Sequence, residues 1–467
     1  MNRNTIGLLA LALLLSGCAI GPNYVRPTVD TPSTFRNQAA PAPAKSLADL
    51  PWWDIYKDET LKELIVAALT NNYDLRVAIS RVEQSRAVAA QSRGSLFPQL
   101  GYQYSAQRAL TPGVTNPDLL TENSSSAGLT AAWEVDLWGQ LRRLHESDRA
   151  KLLATEDVRN GVTMSLVGEV AQAYFELLAL DLQLDIANQT TNSFGESLRI
   201  FSERFAGGVA SELETSRAEA SLASAAAYVP DIERQISIKE NQINILLGRE
   251  PGPVARQTTL NKQYMPPKVP AGIPSSLLER RPDIRQAEQE LRAANALIGA
   301  SKANYLPKID LTGLYGKVSP DLNAFSSDNE RNWSASGTAT GPLFEGGKLT
   351  AQVRQAEATR DEYKLAYEQK VLNAFQEVAA ALISRDKMDA VRVQQEHAVT
   401  ALQTAVRISS ERYVAGKADY YEVLEAQQQL FPAQNSLAQT QLNQLLAIVQ
   451  LYKALGGGWE TDVSSTP

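Results

Sequence analysis

The sequence contains the same pattern twice. The segment from Asp74 to Pro98 aligns without a gap with the segment from Asp283 to Pro307, so that turn residues and apolar positions coincide. A second block follows at nearly the same offset, because Glu203-Arg204-Phe205 matches Glu411-Arg412-Tyr413. A period of roughly 210 residues is far too long for a solenoid, whose units are about 20–50 residues long. The chain is therefore predicted to contain one structural unit that occurs twice.

The duplication predicts the domain organisation. The two repeats are expected at residues 58–248 and 276–458, and residues 459–467 remain as a tail. The intervening residues 249–275 contain six prolines. Proline blocks helix formation, so this segment is predicted to be an irregular connector on the surface.

The amino terminus predicts where the protein works. Arg3 precedes an apolar run from Ile6 to Leu15, which continues into Leu15-Ser16-Gly17-Cys18, a lipobox. The run is too short to span a bilayer and fits a cleaved export signal over residues 1–17. Residues 18–57, which are rich in proline and small residues, are predicted to be a lipidated, extended tether.

Cys18 is the single cysteine of the chain, so a disulfide within one chain is excluded. Its position predicts the covalent N-terminal lipid of a mature lipoprotein, and acyl chains anchor a protein by about 0.8 kcal/mol per buried CH₂. An incidental cysteine near a signal peptide is the alternative. The resemblance of this segment to bacterial lipoproteins implies that Ala19, a non-acidic residue, permits transfer to the outer membrane.

Composition limits the possible partners. The chain is 44% hydrophobic and 21% charged, with a net charge of −7 and no strongly basic stretch, so nucleic acid is not an expected partner. The mature sequence has no uncharged apolar run long enough for a membrane helix. Any membrane-spanning part is therefore predicted to be a β-barrel.

Each repeat contains one segment with a period of two, at 99–137 and at 308–344. Apolar residues alternate there with polar ones over lengths of roughly ten residues, as in outer-membrane barrel strands. A soluble β-sandwich would show the same alternation, but the lipobox and several aromatic residues favour membrane strands. These aromatic residues are Tyr102, Tyr104, Trp133, Trp138 and Trp333.

Four strands cannot close a barrel, because transmembrane barrels begin near eight strands. The open edges must therefore pair with other copies of the chain. Two copies would supply eight strands and three would supply twelve, and the strand count does not choose between them.

Long helical hairpins follow the strands, at 141–248 and 349–455. The segments Leu141–Phe205 and Leu349–Tyr413 contain no proline, and each would be roughly 97 Å long as a continuous helix at 1.5 Å per residue. Apolar spacings of three and four within them favour packing as coiled coils. Each long helix is predicted to end at a turn that contains glycine.

Four segments of this sequence resemble the TolC-type outer-membrane efflux proteins, most closely their lipoprotein branch, typified by OprM. They are Gly21 to Pro27, Pro51-Trp52-Trp53, Val269 to Asp283 and Leu451 to Trp459. The resemblance implies a homotrimer with a twelve-stranded barrel in the outer membrane and an α-helical tunnel in the periplasm. The implied partners are a periplasmic membrane-fusion adaptor and a proton-driven inner-membrane transporter of the resistance-nodulation-division (RND) class.

The same resemblance implies a gate at the periplasmic tip of the tunnel. Tyr421 and Glu425 match the constriction positions, and a spacing of four places them on one helical face. Asp419 and Glu422 are further candidate lining residues, and Arg217 is expected to hold Glu425 in the closed state. In the alternative interpretation, Tyr421 is a packing residue and Glu425 a solvated one.

The tips are also the expected site of adaptor contact. Small residues there would let another helical hairpin approach closely, although glycine at a helix C-terminus is often required for the turn itself. The candidate contacts are Glu203, Arg204, Gly207, Gly208, Glu411, Arg412, Ala415 and Gly416.

An enzyme is the competing class of function. His145 and His397, the only histidines, lie at periodic positions of the long helices, and no His-Cys metal spacing, phosphate-cradling loop or nucleophile with its base is recognisable. The sequence therefore predicts a passive channel without catalytic residues, metal or cofactor. A duct for type I protein secretion and a channel for metal-ion efflux remain the alternatives to drug efflux.

Overall fold

The structure is a computed structural model that describes residues 19–32, 34–36, 47–112, 119–265, 274–319 and 331–459. Cys18 and the predicted signal peptide lie outside the described residues. The strands are β1 (Gln99–Pro112), β2 (Leu119–Glu134), β3 (Lys308–Ser319) and β4 (Arg331–Thr340). The α-helices are α1 (Trp52–Ile55), α2 (Glu59–Asn71), α3 (Tyr73–Gly94), α4 (Gln140–Ala206), α5 (Glu212–Leu246), α6 (Leu277–Arg280), α7 (Pro282–Ala303), α8 (Lys348–Val414) and α9 (Tyr420–Ala454). Short 3₁₀ turns lie at Leu47–Asp49, Leu260–Lys262 and Pro274–Ser276.

The chain divides into two compact units. The first unit comprises Met1–Thr28, Ser80–Glu156 and Gln286–Glu368, and the second comprises Val29–Ile79, Asp157–Arg285 and Gln369–Pro467. Each unit contains segments of both sequence repeats. The first holds the sheet and the second holds the two turns that connect α4 to α5 and α8 to α9.

The four strands form one antiparallel sheet in the order β1-β2-β3-β4. The pairing of β2 with β3 joins the two repeats, and β1 and β4 form the edges. One cross-strand row consists of Tyr102, Leu129, Tyr315 and Trp333, and all four side chains are more than half exposed. The adjacent row of the opposite face is Gln103, Gly128, Gly316 and Asn332. The apolar and polar faces predicted from the alternation are therefore both present.

The long helices match in length between the repeats. α4 and α8 each contain 67 residues, which corresponds to about 100 Å at the rise of an α-helix, and α5 and α9 each contain 35. Among the described residues, no helix has both the length and the apolar character needed to cross a membrane.

The helix that the apolar periodicity predicts from Asp58 towards Leu96 is interrupted. Asn72 adopts an extended conformation between α2 and α3, its side chain accepts a hydrogen bond from the Leu75 N–H (3.0 Å), and its amide donates to the Leu246 carbonyl (3.0 Å). In the second repeat, Arg281 stands at the corresponding break and donates to the Ala454 carbonyl (3.0 Å). In both repeats, the residue at the break therefore donates to a carbonyl at the end of the returning helix, Leu246 of α5 or Ala454 of α9.

Asp58 connects the start of α2 to the connector within the second unit. It is buried, and one carboxylate oxygen accepts the Leu61 N–H that begins the helix (3.1 Å). The other oxygen accepts hydrogen bonds from Tyr174 (2.9 Å), Thr258 (2.5 Å) and Gln263 (2.7 Å). Burial alone would raise the pKa of Asp58, but the bonds from Thr258, Gln263 and Leu61 outweigh it and lower that pKa.

Asp58→Asn is expected to lower the free energy of unfolding by about 2 kcal/mol, because an amide group presents a donor to neighbours that are themselves donors. Since the folded-state pKa of Asp58 is lowered, its contribution is complete above the unfolded value of about 3.9 and is lost as the pH falls through the folded value. Thermal unfolding in detergent between neutral and acidic pH measures both effects. Glu59→Gln is the matched control, because Glu59 is exposed; an Asp58→Asn protein as stable as this control would contradict the prediction.

Candidate functional site

The two turns of the second unit are built alike. Gly208 and Gly416 both have left-handed backbone conformations, with φ of 72° and 71°. In each turn, the N–H groups of the glycine and of the next residue donate to backbone carbonyls in the last turn of the long helix. In the first turn, Gly208 donates to the Phe205 carbonyl and Val209 to the Arg204 carbonyl. In the second, Gly416 donates to the Tyr413 carbonyl and Lys417 to the Arg412 carbonyl. Glycine is favoured here because a Cβ is disfavoured at positive φ. The predicted helix ends at glycine turns are thus explained by backbone geometry.

An aromatic cluster lies behind these turns. The Phe201 ring packs edge-on against Tyr413 at 5.0 Å and against Tyr420 at 6.1 Å between ring centroids. The cluster brings together side chains of α4, α5, α8 and α9. Its buried members are Phe194, Phe201, Ala218, Ala225, Tyr413, Tyr420, Val423 and Leu424. The tips of the two helical hairpins are therefore held together by an apolar core.

Tyr421 and Glu425 lie on the opposite side of α9. Tyr421 is 55% exposed and Glu425 is exposed, whereas Tyr420, Val423, Leu424 and Gln427 on the other side of the helix are buried. The Glu425 carboxylate accepts a hydrogen bond from the Gln429 side chain one turn further on (3.3 Å). The two predicted constriction residues therefore share one solvent-facing side, as their spacing predicts.

The other acidic candidates beside the second turn have structural contacts. Asp419 is the N-cap of α9, and its side chain accepts the Tyr421 N–H. Glu422 lies 3.8 Å from the Arg412 guanidinium, which also donates to the Lys417 carbonyl. Both residues stabilise the second turn, and both remain exposed at its surface.

Arg217 contacts Tyr420, not Glu425, within the chain. Its Nη1 donates to the Tyr420 hydroxyl at 2.7 Å. This bond connects α5 of the first hairpin to α9 of the second, one residue before the predicted constriction residue Tyr421. The sequence comparison of the two repeats identified Arg217 but missed Tyr420, because a buried tyrosine at a helix start carries no distinctive sequence signal.

Arg204 is also bound within the chain. Its guanidinium lies 4.6 Å from the centre of the Tyr413 ring, a cation–π contact, and its Nη1 donates to the Tyr413 carbonyl (3.2 Å). The Tyr413 hydroxyl lies 3.5 Å from the Glu214 carboxylate. Arg204 therefore joins α4 to α8, whereas the sequence singled it out only as a candidate adaptor contact.

A small cluster of polar side chains joins α4 to α9 further from the turns. Gln427 is buried, and its amide donates to Ser193 and Ser197, both at 2.9 Å. Sequence reasoning missed these three residues, since glutamine and serine are common on solvated helices. Because Gln427 and Ser197 are buried and Ser193 is half-buried, the contact between α4 and α9 is partly polar.

The remaining tip candidates are exposed. Glu203 pairs with Arg199 (2.6 Å) and Glu411 with Arg407 (3.0 Å) along their own helices, as surface pairs of small energetic value. A Cβ added at Gly208 or Gly416 would meet no heavy atom within 4 Å. Gly207 and Ala415 also lie at the exposed surface. The turns thus present small residues with open space around them.

The histidines have no metal-like surroundings in the described residues. The His145 ring nitrogen lies 3.1 Å from the Ser92 hydroxyl, a contact between helices of the first unit. No group of three or more His, Cys, Asp or Glu side chains that could hold a metal ion occurs in the described ranges.

An open four-stranded sheet with an exposed apolar face, together with two very long helical hairpins, defines an outer-membrane channel protein. The sequence matches the family "Outer membrane efflux protein" over residues 64–249 and 273–457. This chain belongs to that family. The two matched segments correspond to the two repeats.

Relatives and solved structures agree with this assignment. The chain is 35% identical to the solvent efflux pump outer membrane protein SrpC of Pseudomonas putida, over 98% of this chain and 99% of SrpC. It is 32% identical to the cation efflux system protein CusC of Escherichia coli O157:H7, over 96% of this chain and 98% of CusC. Among solved structures it resembles the outer-membrane channel OprN, with a TM-score of 0.90, 32% identity and coverage of 95% of this chain and 100% of that one. It also resembles the open-state MtrE channel of Neisseria gonorrhoeae, with a TM-score of 0.86 and 30% identity. That match covers 95% of this chain and 99% of the MtrE chain.

These findings confirm several predictions from the sequence. The protein is an outer-membrane efflux channel, and its fold is mainly α-helical and internally duplicated, with a periplasmic helical tunnel. Channels of this family are trimeric, so three copies of the four-stranded sheet supply a twelve-stranded barrel. The family consists of transport proteins.

Proposed function

We propose that the protein passively conducts drugs or other small toxic organic compounds to the cell exterior. It would receive them from a periplasmic membrane-fusion adaptor and a proton-driven RND transporter of the inner membrane. Relatives named for the efflux of solvents, toluene and antibiotics support this substrate class. The protein would be held by its barrel and by a covalent lipid on Cys18.

The first turns of α9 would form the gate. The observation that carries this assignment is the placement of Tyr421 and Glu425 on the exposed side of α9, while its opposite side is fixed in the aromatic cluster. In a trimer, three copies of Tyr421 would narrow the tunnel sterically. Three copies of Glu425 would form a ring that attracts cations, because like charges at close range create a strong local potential.

The contacts behind the gate would hold it closed. The Arg217–Tyr420 and Arg204–Tyr413 contacts each join the first hairpin to the second. An inward or outward movement of the second hairpin would have to break or rearrange them. Arg217 would act through Tyr420 in the same chain, and contact with Glu425 would require a neighbouring subunit.

The adaptor would dock on the glycine turns. Gly207, Gly208, Ala415 and Gly416 leave room for the close approach of another helical hairpin, and Glu203, Glu411 and Arg412 provide charges at the rim. Arg204 would contribute indirectly, because its guanidinium is bound to Tyr413.

Deletion of the gene is expected to increase the sensitivity of the producing cell to organic solvents and lipophilic antibiotics, and the intact gene supplied in trans is expected to restore resistance. The measurement is the minimal inhibitory concentration of each member of a panel of organic compounds and metal salts. Unchanged sensitivity to every organic compound would contradict the proposed substrate class.

Metal-ion efflux is the second candidate, because relatives over nearly the whole chain include the cation efflux protein CusC. A passive channel need not coordinate the ion that it conducts. The metal-binding side chains in the chain therefore do not decide between efflux of organic compounds and efflux of metal ions. In the same panel, sensitivity confined to metal salts would favour this function. Loss of a secreted polypeptide from the medium would instead favour type I secretion.

A further inference from the structure

The segment directly after Cys18 is bound tightly to the first unit. Residues 19–28, here called the strap, have no regular secondary structure, but the Ile20 N–H donates to the Trp138 carbonyl (3.0 Å). The Trp138 indole in turn donates to the carbonyl of Pro307, the residue that precedes β3. The strap thus begins beside the chain segment that leaves β2 and the one that enters β3.

Arg143 acts as a clamp on the strap. Its side chain is only 5% exposed, near the start of α4. The guanidinium donates to the carbonyls of Ile20 (3.2 Å), Gly21 (3.2 Å) and Ala19 (3.4 Å), and to the Asn23 side chain (2.9 Å). An arginine presents five donors in a fixed fork, so one side chain can hold several successive backbone groups. Its remaining partner is Glu146 (2.7 Å).

A second buried charge is also completed by the strap. The Glu288 side chain on α7 is 9% exposed, and it accepts hydrogen bonds from Tyr24 (3.2 Å) and from Arg26, with which it forms an ion pair. Asn295 on the same helix donates to the Pro22 carbonyl (3.0 Å), and the Arg292 guanidinium lies 4.9 Å from the Tyr24 ring centre. The strap thus supplies the Tyr24 and Arg26 partners of Glu288 and four of the hydrogen-bond acceptors of Arg143, two charged side chains that are buried in the folded protein.

At two glycines, the strap and the helical body approach each other too closely to leave room for a Cβ. A Cβ on Gly21, whose φ is +104°, would lie 2.4 Å from the Gly299 Cα. A Cβ on Gly139 would lie 2.6 Å from the Ala19 Cα. The backbone of the strap therefore touches the helical body directly, and Ala19, the neighbour of Cys18, is held against the residue that precedes α4.

We propose that the strap and its clamp Arg143 hold Ala19, the residue that follows the proposed lipidation site, beside the chain segments that leave β2 and enter β3. The acyl chains then enter the membrane at a set place beside the strands, and the anchor and the barrel insert as one unit. The sequence predicts an extended tether over this segment, and the structure shows in addition that residues 19–28 are bound to the first unit. The inference rests on the proposed lipidation of Cys18, and its test separates the two.

The test compares Arg143→Ala and Gly21→Ala with the wild-type lipoprotein in the full mature chain. Arg143→Ala removes charge-assisted hydrogen bonds, and Gly21→Ala places a Cβ against the Gly299 Cα. Hydrogen exchange of residues 19–28 is therefore expected to accelerate about tenfold or more in both variants. The amount of assembled trimer in the outer membrane is expected to fall in parallel. Because Gly21 lies outside the helices and strands, Gly21→Ala reports on the strap without removing a charge from the helical body. Arg149→Ala, an exposed arginine of the same helix, is the control and is expected to match wild type.

Intact-mass measurement of each purified protein shows separately whether residue 18 carries acyl chains. A mass without acyl chains would overturn the lipid anchor, whatever the strap does. Acylated variants whose strap exchanges at the wild-type rate would overturn the clamp. Faster exchange with an unchanged yield of assembled trimer would overturn the coupling of anchor and barrel insertion.

Discussion

Arg281→Ala is expected to lower the free energy of unfolding by about 3 kcal/mol, because it removes the buried arginine at the centre of a charge network. Arg281 is 5% exposed and binds Asp283 through two nitrogens (3.0 and 2.8 Å). It also binds Glu377 (2.7 Å) and the Ala454 carbonyl. One side chain thus joins the end of α6 and the start of α7 to α8 and to the end of α9. The measurement is thermal or denaturant unfolding of the detergent-solubilised protein.

The network also predicts a pH dependence. Burial would raise the pKa of Asp283, but the bonds and charge of Arg281 outweigh it and lower that pKa. Its stabilising contribution is therefore complete at neutral pH and is lost as the pH falls through the folded-state pKa. Arg280→Ala is the matched control, since Arg280 is more exposed and its ion pair with Asp49 lies near the surface, where such pairs contribute up to about 1 kcal/mol. Equal losses of stability in the two variants would contradict the special role of Arg281.

Tyr421→Ala/Glu425→Ala is expected to turn a rarely open channel into a leaky one. The change removes the bulky and the charged side chain from the exposed side of α9 and leaves the buried side, with Tyr420, Val423 and Leu424, intact. The fold is therefore expected to persist while the constriction widens. Cells that produce the variant should take up a large dye that the intact outer membrane excludes. Glu425→Gln alone should mainly reduce the preference for cations, because it removes charge at nearly constant size.

The first repeat offers a matched control for the gate. Leu213 is the equivalent of Tyr421 in the alignment of the repeats, and it is also more than half exposed, at 57%. Leu213→Ala is expected to leave dye uptake unchanged, because the proposed gate lies on the second hairpin and Leu213 lies on the first. Equal dye uptake with Leu213→Ala and with the double variant would show that the increase comes from general loosening of the tip and not from loss of the gate residues.

The sequence predicted the features that depend on periodicity and on backbone geometry. The alternation in 99–137 and 308–344 predicted strands, and the strands lie within these segments. Gly208 and Gly416 predicted the ends of α4 and α8, because few residues other than glycine adopt positive φ readily. Both signals are local, so they can be recognised without knowledge of the tertiary fold.

The missed features depend on residues that are distant in sequence. The interruption at Asn72 needs the Leu246 carbonyl, and the role of Arg143 needs the strap about 120 residues earlier. In the same way, Arg217 has a specific partner only because α9 brings the Tyr420 hydroxyl next to it. Polar residues of this kind look like ordinary solvated positions until a distant acceptor or donor is placed beside them.

Single-channel recording in planar bilayers tests the proposed gate most directly. The purified wild-type protein and the Tyr421→Ala/Glu425→Ala variant are reconstituted side by side, with Leu213→Ala as the control. The expected result is small, rarely open currents from the wild type and the control, and large, long-lived currents from the double variant. Currents of equal size and open time from all three proteins would show that Tyr421 and Glu425 do not close the channel.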